Sequence, residues 1–149
     1  MMLRQISIFL ENQSGYLSQV CRALGDAEID ILTLSLADTQ QFGILRLIVA
    51  DPEIARTKLE ASGYTVRVTD VVAVGIEDRP GGLADLLTML DAHQLNIEYM
   101  YAFSYRSGGL ALMIFRFDDP LTATNVLIDA GTRVLCDAEV VALIRKETE

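Results

Sequence analysis

A glycine-containing turn with the sequence Glu77-Asp78-Arg79-Pro80-Gly81-Gly82-Leu83 recurs 66 residues earlier in the chain, as Glu11-Asn12-Gln13-Ser14-Gly15-Tyr16-Leu17. Each copy follows an apolar, strand-like run and precedes a stretch with the apolar periodicity of an amphipathic helix. The turn therefore joins a strand to a helix and leaves backbone N–H groups free at the helix start. A small carboxylate can be bound there, because the free N–H groups and the helix dipole both favour an anion.

The repeat extends well beyond the turn. Leu24 corresponds to Leu90 at the same offset, and after two extra residues Asp51-Pro52 corresponds to Asp119-Pro120. Identities spread over almost a whole half predict two similar domains, residues 1–69 and 70–149, although 149 residues alone would suggest a single domain. Domains this small have marginal cores, so we expect them to lie side by side and share an interface.

Alternating hydrophobic periods predict the order β-α-β-β-α-β in each half. Asp51 and Asp119 are typical N-caps for the second helix of each half, and Gly63 and Gly131 are typical of the turn that ends it. Four antiparallel strands with both helices on one face form the ferredoxin-like arrangement. The predicted fold class is therefore α+β, with two ferredoxin-like domains side by side.

Two complete βαββαβ domains leave one apolar segment near the C-terminus without an assigned strand or helix. Residues 140–144 lie beyond the expected last strand at 133–136, and they resemble the first strand of the second half, residues 71–76. We therefore predict that residues 140–144 form an extra C-terminal strand at the edge of the sheet.

Aromatic residues are concentrated in the second half, in the face of the sheet that we predict to lie opposite the helices. They are Tyr99, Tyr101, Phe103, Tyr105, Phe115 and Phe117. Two interpretations remain open: packing against the sister domain or another subunit, or an aromatic wall for the side chain of a ligand. The first interpretation, together with the small cores, predicts a homodimer.

Composition excludes several classes of function. The formal net charge of -9 repels phosphate backbones and anionic membranes, so neither nucleic acid nor a membrane is an expected partner. Without a leader sequence or an apolar run of membrane-spanning length, the chain is expected to be cytoplasmic. A single His and two Cys without C-x-x-C spacing offer almost no metal ligands, and we expect no metal or other cofactor.

The turn carries a family resemblance. Residues 78–83 are close to the D-x-P-G-x-L pattern of ACT domains, and Asn96-Ile97 opens the strand that follows. The first copy has Asn12 for Asp, Ser14 for Pro, and Asp30-Ile31 where Asn-Ile is usual, so the two sites need not be equivalent. The whole chain resembles a tandem ACT-domain protein, which implies a non-catalytic regulatory protein that binds a small molecule, usually an amino acid.

The sequence leaves two other functions to consider, a regulatory subunit of an enzyme and an independent enzyme. Chains of this tandem type are similar to the regulatory parts of aspartate kinase and to the small subunit of acetolactate synthase. The alternative is therefore a regulatory subunit that acts through an amino-acid biosynthetic enzyme as partner. An independent enzyme is disfavoured, because His93 is the only His and is predicted at a helix end, and no Ser or Cys has a recognisable activating partner.

An amino acid ligand offers a carboxylate, an ammonium and a side chain. The turn N–H groups can bind the carboxylate, and Asp78, or more weakly Asn12, can pair with the ammonium. Alternatively, Asp78 and Asn12 only cap their helices. The predicted ligand-binding residues, at the two turns and at the starts of the strands that follow, are Asn12, Gln13, Ser14, Gly15, Tyr16, Leu17, Asp30, Ile31, Asp78, Arg79, Pro80, Gly81, Gly82, Leu83, Asn96 and Ile97.

Overall fold

A computed structural model describes residues 2–38 and 41–147. Thr39 and Gln40, in the turn from Asp38 to Gly43 that we predict between the second and third strands, lie outside these ranges. Strands and helices follow one another in the order that the sequence predicted, with two exceptions that are described below. In order they are β1 (Leu3–Glu11), α1 (Tyr16–Asp26), β2 (Ile31–Asp38), β3 (Phe42–Val49), α2 (Pro52–Ala61), β4 (Thr65–Glu77), α3 (Gly82–Ala92), β5 (Ile97–Ser107), β6 (Leu110–Phe117), α4 (Pro120–Asp129), β7 (Arg133–Leu135) and α5 (Asp137–Glu147).

The chain divides into two compact units. The N-terminal unit is Arg4–Thr69, and the C-terminal unit is Asp70–Glu149 together with Met1–Leu3. In the N-terminal unit the strands are ordered β2-β3-β1-β4, and in the C-terminal unit β5-β6-β4, with β7 also paired to β4. Each unit thus has the predicted βαββαβ ferredoxin-like arrangement, and the α+β class is confirmed.

Local capping chemistry explains where the second helix of each unit begins and ends. Asp51 accepts a hydrogen bond from the backbone N–H of Ile54 at 3.2 Å, and Asp119 accepts the equivalent bond from Thr122 at 3.1 Å. Gly63 and Gly131 follow these helices with φ of 89° and 77°, in the left-handed region that favours glycine. The predicted caps are confirmed.

The core of each unit lies between the helices and one face of the sheet. In the N-terminal unit, Ile6 pairs with Leu47 across β1 and β3, and both side chains are fully buried. The helices contribute fully or almost fully buried residues such as Leu24 and Leu59 to the same cluster. This packing leaves the loops at the two ends of the sheet as the places where a ligand can reach the backbone.

The predicted aromatic face is partly wrong. Phe115 and Phe117 belong to the helix-side core of the C-terminal unit, where their rings stack with centroids 5.6 Å apart. Phe115 pairs with Val72, a core residue of β4. Tyr99 pairs instead with Arg116, which alternates with Phe115 and therefore points to the other face of the sheet.

Two predicted strands are a single strand in the structure. We predicted separate strands at 64–68 and 71–76, and β4 runs without interruption from Thr65 to Glu77. The residues between the predicted strands, Thr69 and Asp70, include neither Gly nor Pro, so nothing in the local sequence breaks the extended backbone.

The predicted strand at residues 140–144 is helical. These residues lie within α5, and Val140 is fully buried. Upstream of Val140, the Glu139 carboxylate accepts a hydrogen bond from the backbone N–H of Cys136 at 2.9 Å, which lowers the pKa of Glu139 and supplies a carboxylate at the helix start. A five-residue apolar run fits a strand or a buried helical turn equally well, which explains the error. The C-terminal strand of the fold is β7, which pairs antiparallel with β4.

Candidate functional site

The N-terminal turn, residues 12–15, connects β1 to α1. Gly15 is the N-cap residue, with φ of 98° in the left-handed region. The backbone N–H of Asn12 donates to the carbonyl oxygen of Gln41 at 3.1 Å, and that of Gln13 donates to Glu11 at 2.8 Å. The first turn of α1 contains no acidic residue and no side chain caps it, so the partial positive charge of this helix start is available to an anion.

A cleft of about 270 Å³ opens beside this turn. Its apolar side comes from the strands and the helix, and its polar side from the turn itself. The lining residues are Leu10, Glu11, Asn12, Gln13, Ser14, Gly15, Leu17, Leu36 and Gly43. Leu36 is 52% exposed and Leu17 is 38% exposed, so both side chains present apolar surface to whatever enters the cleft.

The absence of a side chain at Gly43 keeps this cleft open. Gly43 pairs with Leu10 across β1 and β3, on the face of the sheet that carries the helices. A Cβ placed on Gly43 would meet the Cδ1 atom of Leu36 at 3.4 Å. The sequence shows that Gly43 recurs as Gly109. Only the pairing of β1 with β3 shows that Gly43 lies beside the turn.

The C-terminal turn has a similar backbone and a different set of charges. Gly81 is the N-cap residue of α3 with φ of 86°, and the N–H of Asp78 donates to the Gly109 carbonyl at 2.8 Å. The Arg79 guanidinium donates to Asp85 at 2.6 Å and to Glu77 at 2.5 Å. These hydrogen bonds, that to Asp85 first, raise the pKa of Arg79.

The two turns therefore differ in their capacity for an anion. Asp85 occupies the first turn of α3, where its carboxylate already benefits from the helix dipole and from Arg79. Asp78 lies 3.7 Å from the guanidinium of Arg106. In contrast, residues 12–17 carry no formally charged side chain. A ligand carboxylate would compete with Asp85 in the first turn of α3, whereas the first turn of α1 contains no acidic residue.

The interpretation that Asn12 and Asp78 only cap their helices is wrong. Gly15 and Gly81 are the N-cap residues, and neither helix receives a capping hydrogen bond from a side chain. Asn12 and Asp78 each precede the N-cap by three residues, too early for the usual capping geometry.

The structure does not bring the turns and the starts of the second strands together within a unit. Ile31 pairs with Val49 at one end of β3, whereas Glu11, which precedes the turn, pairs with Phe42 at the other end. Eight residues of extended strand separate these ends by about 23 Å. In the C-terminal unit, Ile97 and the turn are likewise at opposite ends of β6.

The backbone carbonyl groups just before the second strand of each unit accept hydrogen bonds from other parts of the backbone. The Asp30 carbonyl accepts a hydrogen bond from Ala50 at 3.1 Å, and the Asn96 carbonyl accepts one from Asp118 at 3.3 Å. Asp30, Ile31, Asn96 and Ile97 therefore do not join the cleft at the turn. Four cleft residues, Leu10, Glu11, Leu36 and Gly43, were not predicted from the sequence.

Other types of site find little support in the described part of the chain. No group of three or more His, Cys, Asp or Glu residues is arranged to hold a metal ion among residues 2–38 and 41–147. In the same ranges, no helix has the length and apolar character needed to cross a membrane.

Comparison with known proteins assigns a family. The family model for an ACT domain pair matches residues 1–144. The chain is 35% identical to protein BT0572 from Bacteroides thetaiotaomicron. The crystal structure of that protein superposes on this chain with a TM-score of 0.88, and the alignment covers 94% of this chain and 96% of that one. No curated protein matches the chain.

Two more distant structures share the fold. The ligand-free regulatory subunit of aspartate kinase from Thermus thermophilus is 18% identical, with a TM-score of 0.60 over 87% of this chain and 93% of that one. The regulatory subunit of aspartate kinase from Thermus flavus is 16% identical, with a TM-score of 0.62 over 87% and 90%. At these identities the similarity is one of fold.

Proposed function

We propose that this chain, which belongs to the ACT domain pair family, is a non-catalytic regulatory protein that binds a free amino acid. The observation that carries the proposal is the cleft of about 270 Å³ at the N-terminal turn. It combines a helix start without competing acid, a left-handed glycine at the N-cap, and three leucine side chains. These features match the carboxylate and the side chain of an amino acid.

The chemistry of the cleft favours an amino acid with an apolar side chain. The backbone N–H groups at the start of α1 bind the carboxylate. The Glu11 carboxylate and the Asn12 amide oxygen, both in the lining, are acceptors for the ammonium. Leu10, Leu17 and Leu36 provide the contact for an aliphatic side chain.

The C-terminal turn has a different role in this proposal. Arg79 already pairs with Glu77 and with Asp85 at the start of α3, so a ligand carboxylate there would compete with the protein's own carboxylates. Because of this difference in charge, we assign ligand binding to the N-terminal turn, and to the C-terminal turn the role of joining α3 to β4 through Arg79.

A regulatory protein without catalytic activity must act on something else. We propose that ligand binding changes the association of this chain with an enzyme of amino-acid metabolism. The support is the shared fold with two proteins that are regulatory subunits of aspartate kinase.

A matched pair of leucines tests the ligand site. Leu34 and Leu36 lie on the same face of β2 with similar exposure, 48% and 52%, and only Leu36 lines the cleft. We expect Leu36→Ala to weaken binding about tenfold or more, since burying a leucine side chain contributes roughly 1.5–3 kcal/mol. Leu34→Ala should bind as the parent does.

The measurement is isothermal titration calorimetry after a thermal-shift screen of the twenty amino acids. Binding to the native state alone raises stability by about 2.7 kcal/mol at a ligand concentration of 100 times Kd. If no amino acid stabilises the protein, the proposed function is wrong. If one binds and both leucine variants bind it equally well, the function stands and the cleft is the wrong site.

A further inference from the structure

Gly43 is a glycine inside a paired strand. It lies in β3 and pairs on both sides, with Leu10 of β1 and with Asp38 of β2. Glycine weakens a strand, because it loses more conformational freedom on folding than other residues and has no side chain to pack. A glycine at this position therefore needs a specific reason, which can lie in the backbone, in the packing of the fold or in the cleft at the N-terminal turn.

The backbone conformation does not require glycine at position 43. Gly43 is not among the glycines of the described chain that have a positive φ. Its equivalent in the repeat, Gly109, has φ of 77°, in the left-handed region that favours glycine. Glycine thus serves the backbone at position 109, whereas the backbone at position 43 accepts any residue that fits the space around it.

The packing of the fold does not require glycine at position 43 either. A Cβ placed on Gly43 would lie 3.4 Å from the Cδ1 atom of Leu36. Its next neighbours, the carbonyl oxygens of Ala37 and Leu10, would each be 3.9 Å away. These are close to ordinary van der Waals distances, and the nearest atom is the end of a side chain that is 52% exposed. Alanine therefore fits at position 43 without displacing the backbone.

The cleft at the N-terminal turn supplies the remaining reason. Gly43 lines this cleft together with Leu10 and Leu36, the two residues nearest to the place where its side chain would stand. The missing side chain therefore leaves the space between these two leucines open to the cleft. A glycine within a strand often marks a point where a ligand approaches the backbone closely.

We propose that Gly43 sets the length of the ligand side chain that the cleft accepts. This inference rests on the proposed function, in which the start of α1 binds the carboxylate of an amino acid. The far end of the ligand side chain then enters the space between Gly43, Leu10 and Leu36. A methyl group at position 43 would occupy part of that space and press on Leu36, so it would shorten the cleft. The parent protein therefore prefers long apolar side chains, and its alanine variant prefers short ones.

A series of amino acids tests the preference. Alanine, norvaline and norleucine have unbranched side chains of increasing length, and calorimetry measures the affinity of each for the parent and for Gly43→Ala. We expect the parent to bind norleucine most tightly. In Gly43→Ala the affinity for norleucine should fall about tenfold or more, because a hydrophobic pocket discriminates at least this strongly against one methylene group too many. The affinity for alanine should change by less than about twofold.

A second substitution tests whether position 43 acts through Leu36. In the Gly43→Ala background, Leu36→Val shortens the side chain that the new methyl group presses on, so it should restore most of the affinity for norleucine. The matched control is Leu34→Val in the same background. Leu34 lies on the same face of β2 and is 48% exposed, but it does not line the cleft, so this change should restore nothing.

Stability distinguishes this role from a structural one. Urea denaturation should show that Gly43→Ala is at least as stable as the parent, because alanine has less conformational freedom to lose on folding. A glycine that is needed for folding would give the opposite result: the variant would be less stable, and it would lose affinity for all three amino acids alike.

The outcomes separate this inference from the proposed function. If the parent binds no amino acid, the proposed function fails and this inference fails with it. If the parent binds amino acids and Gly43→Ala changes its affinity for alanine, norvaline and norleucine by the same factor, the function stands and this inference is overturned. A loss that grows with side-chain length, and that Leu36→Val reverses while Leu34→Val does not, supports the inference.

Discussion

The carbonyl oxygen of Glu77 occupies the space that a side chain on Gly82 would need. Position 82 therefore requires glycine for a contact within the chain, whereas we had predicted it as a point where a ligand approaches the backbone. The equivalent residue of the N-terminal turn is Tyr16, so α1 begins with a full side chain at this position. The two turns share a backbone conformation at the N-cap and differ in how closely the helix approaches the preceding strand.

We predict that Gly82→Ala lowers the free energy of unfolding by about 1–3 kcal/mol, because the new Cβ must displace backbone that cannot easily move. Urea denaturation of parent and variant measures the loss. The control is Gly25→Ala, within α1, where a Cβ has open space and should stabilise the protein by roughly 0.5–1 kcal/mol. Equal effects of the two substitutions would contradict the contact between Glu77 and Gly82.

We predict that Gly43→Val abolishes amino-acid binding while the protein remains folded. Gly43 has no positive φ, and valine is favoured in strands, so the backbone should accept the change. Its branched side chain would stand against Leu36 and fill part of the cleft. Calorimetry measures binding, and circular dichroism checks the fold. A folded Gly43→Val variant with parental affinity would place the ligand elsewhere.

We predict that the effect of Thr122→Val on stability depends on pH. Hydrogen bonds from the Thr122 hydroxyl and then from its N–H lower the pKa of Asp119. A depressed carboxyl pKa contributes stability that is present above the pKa of the unfolded chain and is lost as the pH falls through the folded pKa. The variant should therefore melt at a lower temperature than the parent near pH 7, and the difference should shrink as the pH falls below 3.8, the ordinary pKa of an aspartate.

The matched control for this experiment is Thr88→Val. The Thr88 hydroxyl donates to the Ala84 carbonyl at 2.8 Å, a partner that does not titrate. The effect of Thr88→Val on the melting temperature should therefore be similar near pH 7 and at acidic pH. If Thr88→Val and Thr122→Val show the same pH dependence, the Asp119 carboxylate is not the cause.

We predict a graded response to helix-breaking substitutions at Ala142, an exposed residue in the middle of α5. Ala142→Gly should cost roughly 1 kcal/mol and Ala142→Pro about 3 kcal/mol, which are the usual penalties inside a helix. An edge strand at residues 140–144 would give a different order, because glycine weakens a strand and proline is tolerated at a sheet edge. Urea denaturation of the three proteins distinguishes the two structures.

Local sequence patterns were sufficient to predict most of the helices and strands and their order. Asp51 and Asp119 each bind N–H groups within the next three residues, so the positions of these caps are encoded in a few neighbouring side chains. The tandem order of elements followed from the repeat, because each element has an equivalent in the other half. The short apolar run at residues 140–144 was assigned to a strand instead of a helix, since its length allows two structures.

The candidate site depended on contacts between residues that are distant in the sequence. The turn was visible in the sequence, but strand register places Leu36 and Gly43 beside it and moves Asp30 to the far end of the sheet. Tertiary structure also brings Arg106 to 3.7 Å from Asp78, a charged contact that the N-terminal turn lacks because residues 12–17 carry no formally charged side chain. A turn or a cap is encoded by adjacent residues, whereas a cleft exists only after strands pair and helices pack, and for that reason the sequence identified the turn but not the cleft that it borders.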